Sequence, residues 1–484
     1  MRPKTELLDP SFVQRILDEA FELLETLGAR VGANEAIDLL ASAGAHVECG
    51  AVRIPRVLVQ RALESVPREF FLYSRSGGPA VHYGGDSVQF DPGSSCLNIL
   101  DTETQQPRPA NSADLVRMVQ VTEMLSEFAA QSTAMVCNDV PTEMGDWYRL
   151  LLVLWYSDKP VVTGAFAVST LRIMLDLLAA DAGGAEPLKQ KPRAIFDVCP
   201  SPPLNWSEFA SQNIVELARA GVPVQIVSMP LAGATAPVTL AGAIVQHAAE
   251  CLAGITIHQL ANPGTPIVWG GAPAIFDMST GNTPMGAIET AMLDMGCAQV
   301  GKSLGLPTHG YLVASDSRHI DAQAGIESAG SALLGALSGI NMISGAGMLD
   351  FLACHSIEKL VIDAEAIANA QRLIAGIEPR GEKLALDTFA QTGLHGDFLK
   401  LKETRLLFRK EQHFPSAVTD RSGDANAREI LARARARVNE LVSGYQRPQI
   451  MTQCEDAMLN IAFREAGALG VNQLPAIDTL TSTV

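Results

Sequence analysis

Apolar residues set the reading along the chain. In residues 10–28, Val13, Ile16, Leu17, Phe21, Leu24 and Leu27 recur near helical spacing and stop at Gly28, which predicts a helix. Segments 34–44 and 55–66 repeat the pattern. Three short apolar runs separated by glycines follow, at 70–74, 80–84 and 87–90, and read as strands. From about residue 95 the rhythm becomes short apolar strand, Gly/Pro loop, then helix. The expected strands are Cys96–Leu100, Phe128–Val136, Val161–Phe166, Ala194–Cys199, Val222–Met229, Pro266–Gly270, Pro307–Val313 and Ile340–Ser344. The helix-like runs after them are 112–124, 143–156, 169–182, 207–219, 238–261, 284–304, 320–338 and 356–375.

Strands joined by helices run parallel, and eight such units in order predict an α/β fold, a (β/α)8 TIM barrel whose closed sheet has no edge. The division expected is a helical and short-strand extension at 1–94, the barrel at 95–375 and a helical region at 376–484. An open doubly wound sheet is the alternative, and it would call for a nucleotide-binding glycine turn. In the last region, 425–443 is a strongly amphipathic helix with an Arg-rich face, expected to be solvated or to contact another subunit. A homo-oligomer is expected.

Composition narrows the function. A net charge of −17 argues against nucleic acid, because neutralising phosphates needs clustered basic residues. It suits a cationic substrate or a partner with a basic face. The N-terminal residues show no apolar signal segment, and the apolar run 150–155 is too short to span a bilayer, so a cytoplasmic location without membrane attachment is expected. The eight Cys form no CxxC pair and read as reduced thiols.

Residues 296–303, GCAQVGKS, satisfy the P-loop pattern, yet they follow a helical run and are ended by Leu304-Gly305-Leu306-Pro307. No helix starts there to receive a phosphate, so nucleotide binding is not expected. The residues lack paired Cys/His spacing for a metal; Cys137, Cys199 and His309 remain conceivable only as a set assembled from separate strands. No catalytic residue is assigned. Aromatic residues gather instead at the expected strand ends: Phe166, Phe196, Trp269, and His309 with Tyr311 on one strand face, followed by the apolar loop of Phe276 and Met278. Such a set suits a cage that holds a quaternary ammonium by cation–π attraction, although for any one of these aromatics core packing is the commoner role. Arg318 and His355 lie just past two strand ends, where either is suited to a substrate carboxylate.

Four segments, ILDEAFELLETLGARV, NSADLVRMVQVTEML, WGGAPAIFDMSTGNTPMGAIE and SDSRHIDAQAGIESAGSALLGALSGINMISGAGMLD, together resemble the trimethylamine methyltransferase family from about residue 5 to 375. The resemblance implies a TIM-barrel enzyme that passes a methyl group from a methylated amine to the cobalt of a cognate corrinoid protein, so that the corrinoid (cobalamin) cofactor is carried by the partner. Archaeal trimethylamine enzymes of the family contain pyrrolysine, whereas every position here is a standard residue. That favours the branch similar to glycine betaine methyltransferase, with a small quaternary amine as substrate. Arg318 and His355 lie in segments that look like those supplying its carboxylate contacts. The chemistry fits an apolar site. A quaternary ammonium leaves as a neutral amine, so no general acid is required, and the partner brings the nucleophile. The alternatives are a zinc-dependent methyltransferase for a thiol or alcohol, and a betaine-binding protein without catalysis.

Overall fold

The structure, a computed structural model, describes residues 2–477 apart from 49, 395 and 425. It is a mixed α/β fold. Five parallel strands pair in the order Gln131–Ser132, Val161–Gly164, Ala194–Val198, Val224–Ile226 and Ile267–Val268. A second parallel set pairs His309–Tyr311, Met342–Ala346 and Gln89–Pro92. Backbone bonds connect the sets at both edges. Trp269 pairs with Thr308, and His309 N donates to Trp269 O at 2.9 Å. On the other side Ala129 N donates to Phe90 O at 3.1 Å.

One expected strand is corrected. Of Cys96–Leu100 only Cys96 touches these sets, in a single parallel bridge to Met135 beyond Gln131–Ser132; Asn98–Leu100 pairs with Cys354–His355 and Pro107–Pro109 in a small separate sheet. The place it was expected to fill is taken by Gln89–Pro92, which overlaps the short strand expected at 87–90 and lies before the boundary expected at residue 95. Its inner face carries Gln89 and Asp91, where the neighbouring strands turn aliphatic residues such as Val162 and Met342 inward.

The helices fall where their periodicity predicts. They are Ser112–Met124, Gly145–Tyr156, Val168–Ala182, Glu208–Ala220, Leu240–Ala261, Ile288–Ser303, Ala322–Leu337 and Ile357–Ile374. Side chains of Asn111, Ser207, Thr239, Asp321 and Ser356 accept from the first-turn amides, which explains several of the starts. Leu240–Ala261 is long and apolar enough to cross a membrane by length and composition, but 83% of its most apolar window is buried in the fold. Among the described residues, seven cysteines are free thiols, and all but Cys199 are buried.

The two strand faces serve different ends. Val161, Ala194, Val224, Ile267 and Ile343 pack outward in one core with helix residues such as Leu150, Leu177, Ile214 and Leu252. Ala130, Val162, Ile195, Val268 and Met342, near the strand starts, face inward. There they meet Phe70, Leu72, Val81 and Tyr83 of the hairpin Glu69–Tyr73/Pro79–Gly84. That end is therefore plugged by apolar side chains, and the inner face opens only toward the strand C-termini. The tail helix expected at 425–443 is observed as Ile430–Gly444, with residue 425 and residues 478–484 outside the described residues. It packs on Ser112–Met124 and Ile357–Ile374, while Thr452–Ala468 packs on Val168–Ala182.

The P-loop pattern 296–303 is helical throughout, inside Ile288–Ser303, so its amides are engaged in the helix. Gly301 serves packing: a Cβ there would sit 2.5 Å from the Trp269 ring. Gly301→Ala is expected to lower stability by about 1–3 kcal/mol through overpacking, readable as a shift in the urea midpoint.

Candidate active site

Strand alternation decides which side chains meet on the inner face. Two residues beyond Val162, Ile195 and Met342 come Gly164, Asp197 and Ser344; Gln225 pairs with Asp197, and Asp91 lies beyond Gln89. The apolar layer thus gives way to a polar one. Ser344 Oγ donates to Asp91 Oδ1 at 2.7 Å and lies 3.1 Å from His309 Nε2. Tyr311 joins from the same face, its hydroxyl accepting from Ser94 N at 2.9 Å, with its ring 6.3 Å from that of His309.

Two carboxyl groups dominate this layer. Burial pushes Asp91 well above the usual carboxylate range; the Ser344 hydrogen bond opposes that shift, and the charge of Asp197 adds to it. Asp197 is pushed up to about 7 by burial, partly offset by the positive charge of Arg149. Its Oδ1 and the Gln225 Oε1 are buried without a hydrogen-bond partner. An unpaired buried carboxylate oxygen is costly, so this atom marks a place where a ligand would be favourable. His309 is pushed down to about 3 by burial and is neutral. Partial or full exposure of Ser94, Ser95, Gly164, Asp197, Cys199 and Met229 leaves the layer accessible at the strand C-termini.

Arg149 guards that rim. It reaches in from Gly145–Tyr156, fully buried, and donates from Nη1 to Ser95 Oγ (2.9 Å) and Thr133 O (3.2 Å) and from Nη2 to Asp146 Oδ1 (3.4 Å). The Phe166 ring, 63% exposed, lies over the guanidinium at 5.0 Å. The loop after Ile267–Val268 is held from below. Gly270 leaves no room for a side chain, since a Cβ would stand 2.7 Å from that of His309. His247 Nε2 lies 3.1 Å from Gly270 O, and the ring is kept neutral by burial that pushes it down to about 4. The Met285 and Gly286 amides donate to Asp316 at 2.8 and 2.9 Å, tying this loop to the one after His309–Tyr311.

The aromatic residues expected at the strand ends do not form one cage. Trp269 shares the outer face with Thr308, fully buried, and its Nε1 donates to Cys297 O at 2.9 Å. Phe196 is likewise buried on the outer face, paired with Thr163. Phe276 is half-buried in its loop, where its amide donates to Ala232 O, and Met278 is exposed at the tip. His309 and Tyr311 alone of that set reach the inner face. Arg318 is exposed and pairs with Asp350 (Nε to Oδ1, 2.9 Å); His355 is fully buried and pairs with Met348, so both attach to the loop after Met342–Ala346. Asp91, Asp197, Gln225 and Arg149 were not expected. The legible signal was a single acid two residues beyond a buried aliphatic in AIFDV.

Among the described residues there is no group of three or more His, Cys, Asp or Glu placed to hold a metal ion. A surface cavity of about 420 Å³ lies at the other end of the fold, between the N-terminal segment and Ile288–Ser303, lined in part by Lys4, Gln299 and Lys302. Gln299 there already accepts from Leu7 N and Leu8 N and donates to Leu8 O, unlike the unpaired Asp197 and Gln225 of the acidic layer.

The family model described as trimethylamine methyltransferase (MTTB) matches residues 1–468. The chain is 30% identical over 403 residues to trimethylamine methyltransferase MttB of Desulfitobacterium hafniense, covering 83% of this chain and 81% of that one. It is 29% identical over 478 residues to a glycine betaine methyltransferase of the same species, covering 96% and 98%. In fold it is similar to the monomethylamine methyltransferase MtmB of Methanosarcina barkeri, with TM-score 0.52 at 11% identity over 92% of this chain and 89% of that one.

Proposed function

Because this chain belongs to the trimethylamine methyltransferase family, we propose that it moves a methyl group from a betaine-type quaternary amine to the Co(I) of a separate corrinoid protein. In this reading the two parallel strand sets and their edge bonds are one closed (β/α)8 barrel, flanked by residues 1–88 and 376–484, with the acidic layer in its mouth. The carrying observation is the buried, unpartnered Oδ1 of Asp197 beside Asp91. A quaternary ammonium has no N–H to satisfy water or a hydroxyl, and it is held by charge and apolar contact. Asp197 supplies the charge, with the Tyr311 and His309 rings beside it.

The electron pair for the new bond comes from Co(I), and the C–N pair stays on nitrogen, leaving a neutral amine. This chain binds the cation, strips its water and presents one methyl toward the exposed rim, where Ser94, Gly164, Asp197 and Met229 leave a path for the partner. Nitrogen loses positive charge as the methyl departs. Asp197 therefore favours the bound substrate more than the transition state, and acts on affinity rather than on the chemical step. Of the two residues expected at the substrate carboxylate, Arg318 is exposed and is assigned to it in this reading, outside the acidic layer, whereas His355 is fully buried.

Trimethylammonium is a second reading favoured by the same atom, since its N–H would donate to Asp197 Oδ1. A panel of methylated amines incubated with the chain and reduced corrinoid protein separates the two, following loss of the Co(I) absorbance. Glycine betaine, proline betaine or a carnitine-like compound should be consumed, and Arg318→Ala should slow these but not tetramethylammonium. Demethylation of trimethylamine alone would reject the betaine reading.

A further inference from the structure

Asp350, Phe351 and Leu352 run at φ +50°, +54° and +71°, three successive non-glycine residues in the left-handed region. A Cβ makes that region costly, and residues other than glycine seldom enter it more than one at a time. The three form the tip of a hairpin between Met348–Leu349 and Cys354–His355, at the strand C-termini. The base of the hairpin is firm, since Leu349 and Cys354 pack with Leu100 and Ala324. The tip is tied by backbone bonds. Asp350 N donates to Ser317 O at 2.9 Å, Ala353 N to Asp350 O at 3.0 Å and Asn98 N to Ala353 O at 3.2 Å. A further tie is an ion pair, Arg318 Nε to Asp350 Oδ1 at 2.9 Å. Strained backbone of this kind lasts only while its contacts enforce it.

We infer that Asp350 holds the place of the substrate carboxylate in the ligand-free chain, and that a betaine displaces it from Arg318 together with its turn. The inference rests on the reading that gives Arg318 to that carboxylate. Two features make the exchange favourable. Arg318 is 71% exposed, and among the described residues Asp350 engages it through Nε alone. A free carboxylate can take two N–H groups of the guanidinium fork at once, whereas an exposed, single-bonded pair contributes little. Release also lets the tip leave its left-handed backbone while the base of the hairpin stays packed. The contact then acts on specificity. An anion without an ammonium has nothing to hold it at Asp197 and must displace Asp350 unaided. A cation without a carboxylate leaves Asp350 in place. Only a zwitterion engages both the acidic layer and Arg318.

Calorimetric binding to the full chain tests this without methyl transfer. Asp350→Asn removes the charge and keeps a residue that tolerates left-handed backbone, so the turn is preserved. The variant should bind glycine betaine about two- to fivefold tighter, the worth of an exposed ion pair, and tetramethylammonium no tighter. The sign is diagnostic, because losing a negative charge for any other reason weakens the binding of both cations. In the unaltered chain, glycine betaine but not tetramethylammonium should speed hydrogen exchange at the Ala353 amide, which donates to Asp350 O. Arg318→Ala separates the two ideas. Unchanged betaine affinity in that variant removes Arg318 from the carboxylate, and the displacement falls with it. If Arg318→Ala weakens betaine binding but Asp350→Asn leaves it unchanged, the displacement alone is overturned. Equal exchange at Ala353 with either ligand overturns it as well.

Discussion

Asp197→Asn is expected to weaken binding of a quaternary ammonium roughly 30- to 1000-fold while leaving the chain folded. The estimate follows from the loss of one charge contact about 4 Å long in a partly screened interior, about 2–4 kcal/mol. The effect should fall on KM, with kcat changed by no more than a few-fold, because nitrogen is less positive in the transition state than in the bound substrate. A pH dependence accompanies it. The Asp197 carboxyl titrates at about 7 in the fold, so a cation must compete with the proton below that. Affinity should fall as pH drops from 8 to 6 in the intact chain and stay flat in the Asn variant. Stability runs the other way: with its pKa raised on folding, Asp197 favours the ligand-free fold at low pH and loses that contribution as pH rises through about 7. Binding and urea unfolding at several pH values check both signs. The groups that face it are Asp91, whose own carboxyl burial pushes well above the usual carboxylate range, and Arg149, whose charge opposes the shift.

Lys359→Met is expected to destabilise the fold by about 3–5 kcal/mol, because it strands a buried carboxylate. Lys359 Nζ lies 2.6 Å from Asp363 Oδ2, with both side chains almost wholly buried, and it also donates to Ser328 Oγ and Val313 O. The pair holds two strand ends. Val313, a β-branched residue, sits at φ +62°, where its N donates to Ser331 Oγ, and Gly347 N donates to Asp363 Oδ2 at 2.7 Å. Left-handed backbone at a β-branched residue persists only where its surroundings over-determine it. Lys359→Met/Asp363→Leu should recover much of the loss, although Gly347 N then lacks its acceptor at a cost of about 1–3 kcal/mol. Equal destabilisation in the single and double variants, measured by urea unfolding, would refute a stranded charge as the cause.

Helices were legible almost to the residue because their apolar spacing and caps agree: Asn111, Thr239 and Ser356 stand at starts the periodicity also marks. Strand identity was less legible where the inner face turns polar. The strand expected at 87–90 is observed as Gln89–Pro92, but with Gln89 and Asp91 inward nothing in its pattern marked it as a neighbour of Met342–Ala346, while Asn98–Leu100 belongs to a separate small sheet. The same feature hid the site. Large aromatics at strand ends draw the eye, yet Trp269 and Phe196 fall on the odd side of the two-residue period and face helices. Which face of a strand is inner depends on its neighbours, and a single strand does not reveal it. Asp197 could have been found by asking why an acid follows Ile195 in an otherwise buried strand.

The claim that matters most is that the inner face recognises positive charge. Calorimetric titration of the intact chain with glycine betaine and with 3,3-dimethylbutanoate tests it directly, since the second differs only by a carbon in place of the charged nitrogen. At pH 8 the acidic layer predicts at least a tenfold preference for the betaine, roughly 1.4 kcal/mol or more, and its loss in Asp197→Asn. Equal affinity of the intact chain for both compounds would contradict the account.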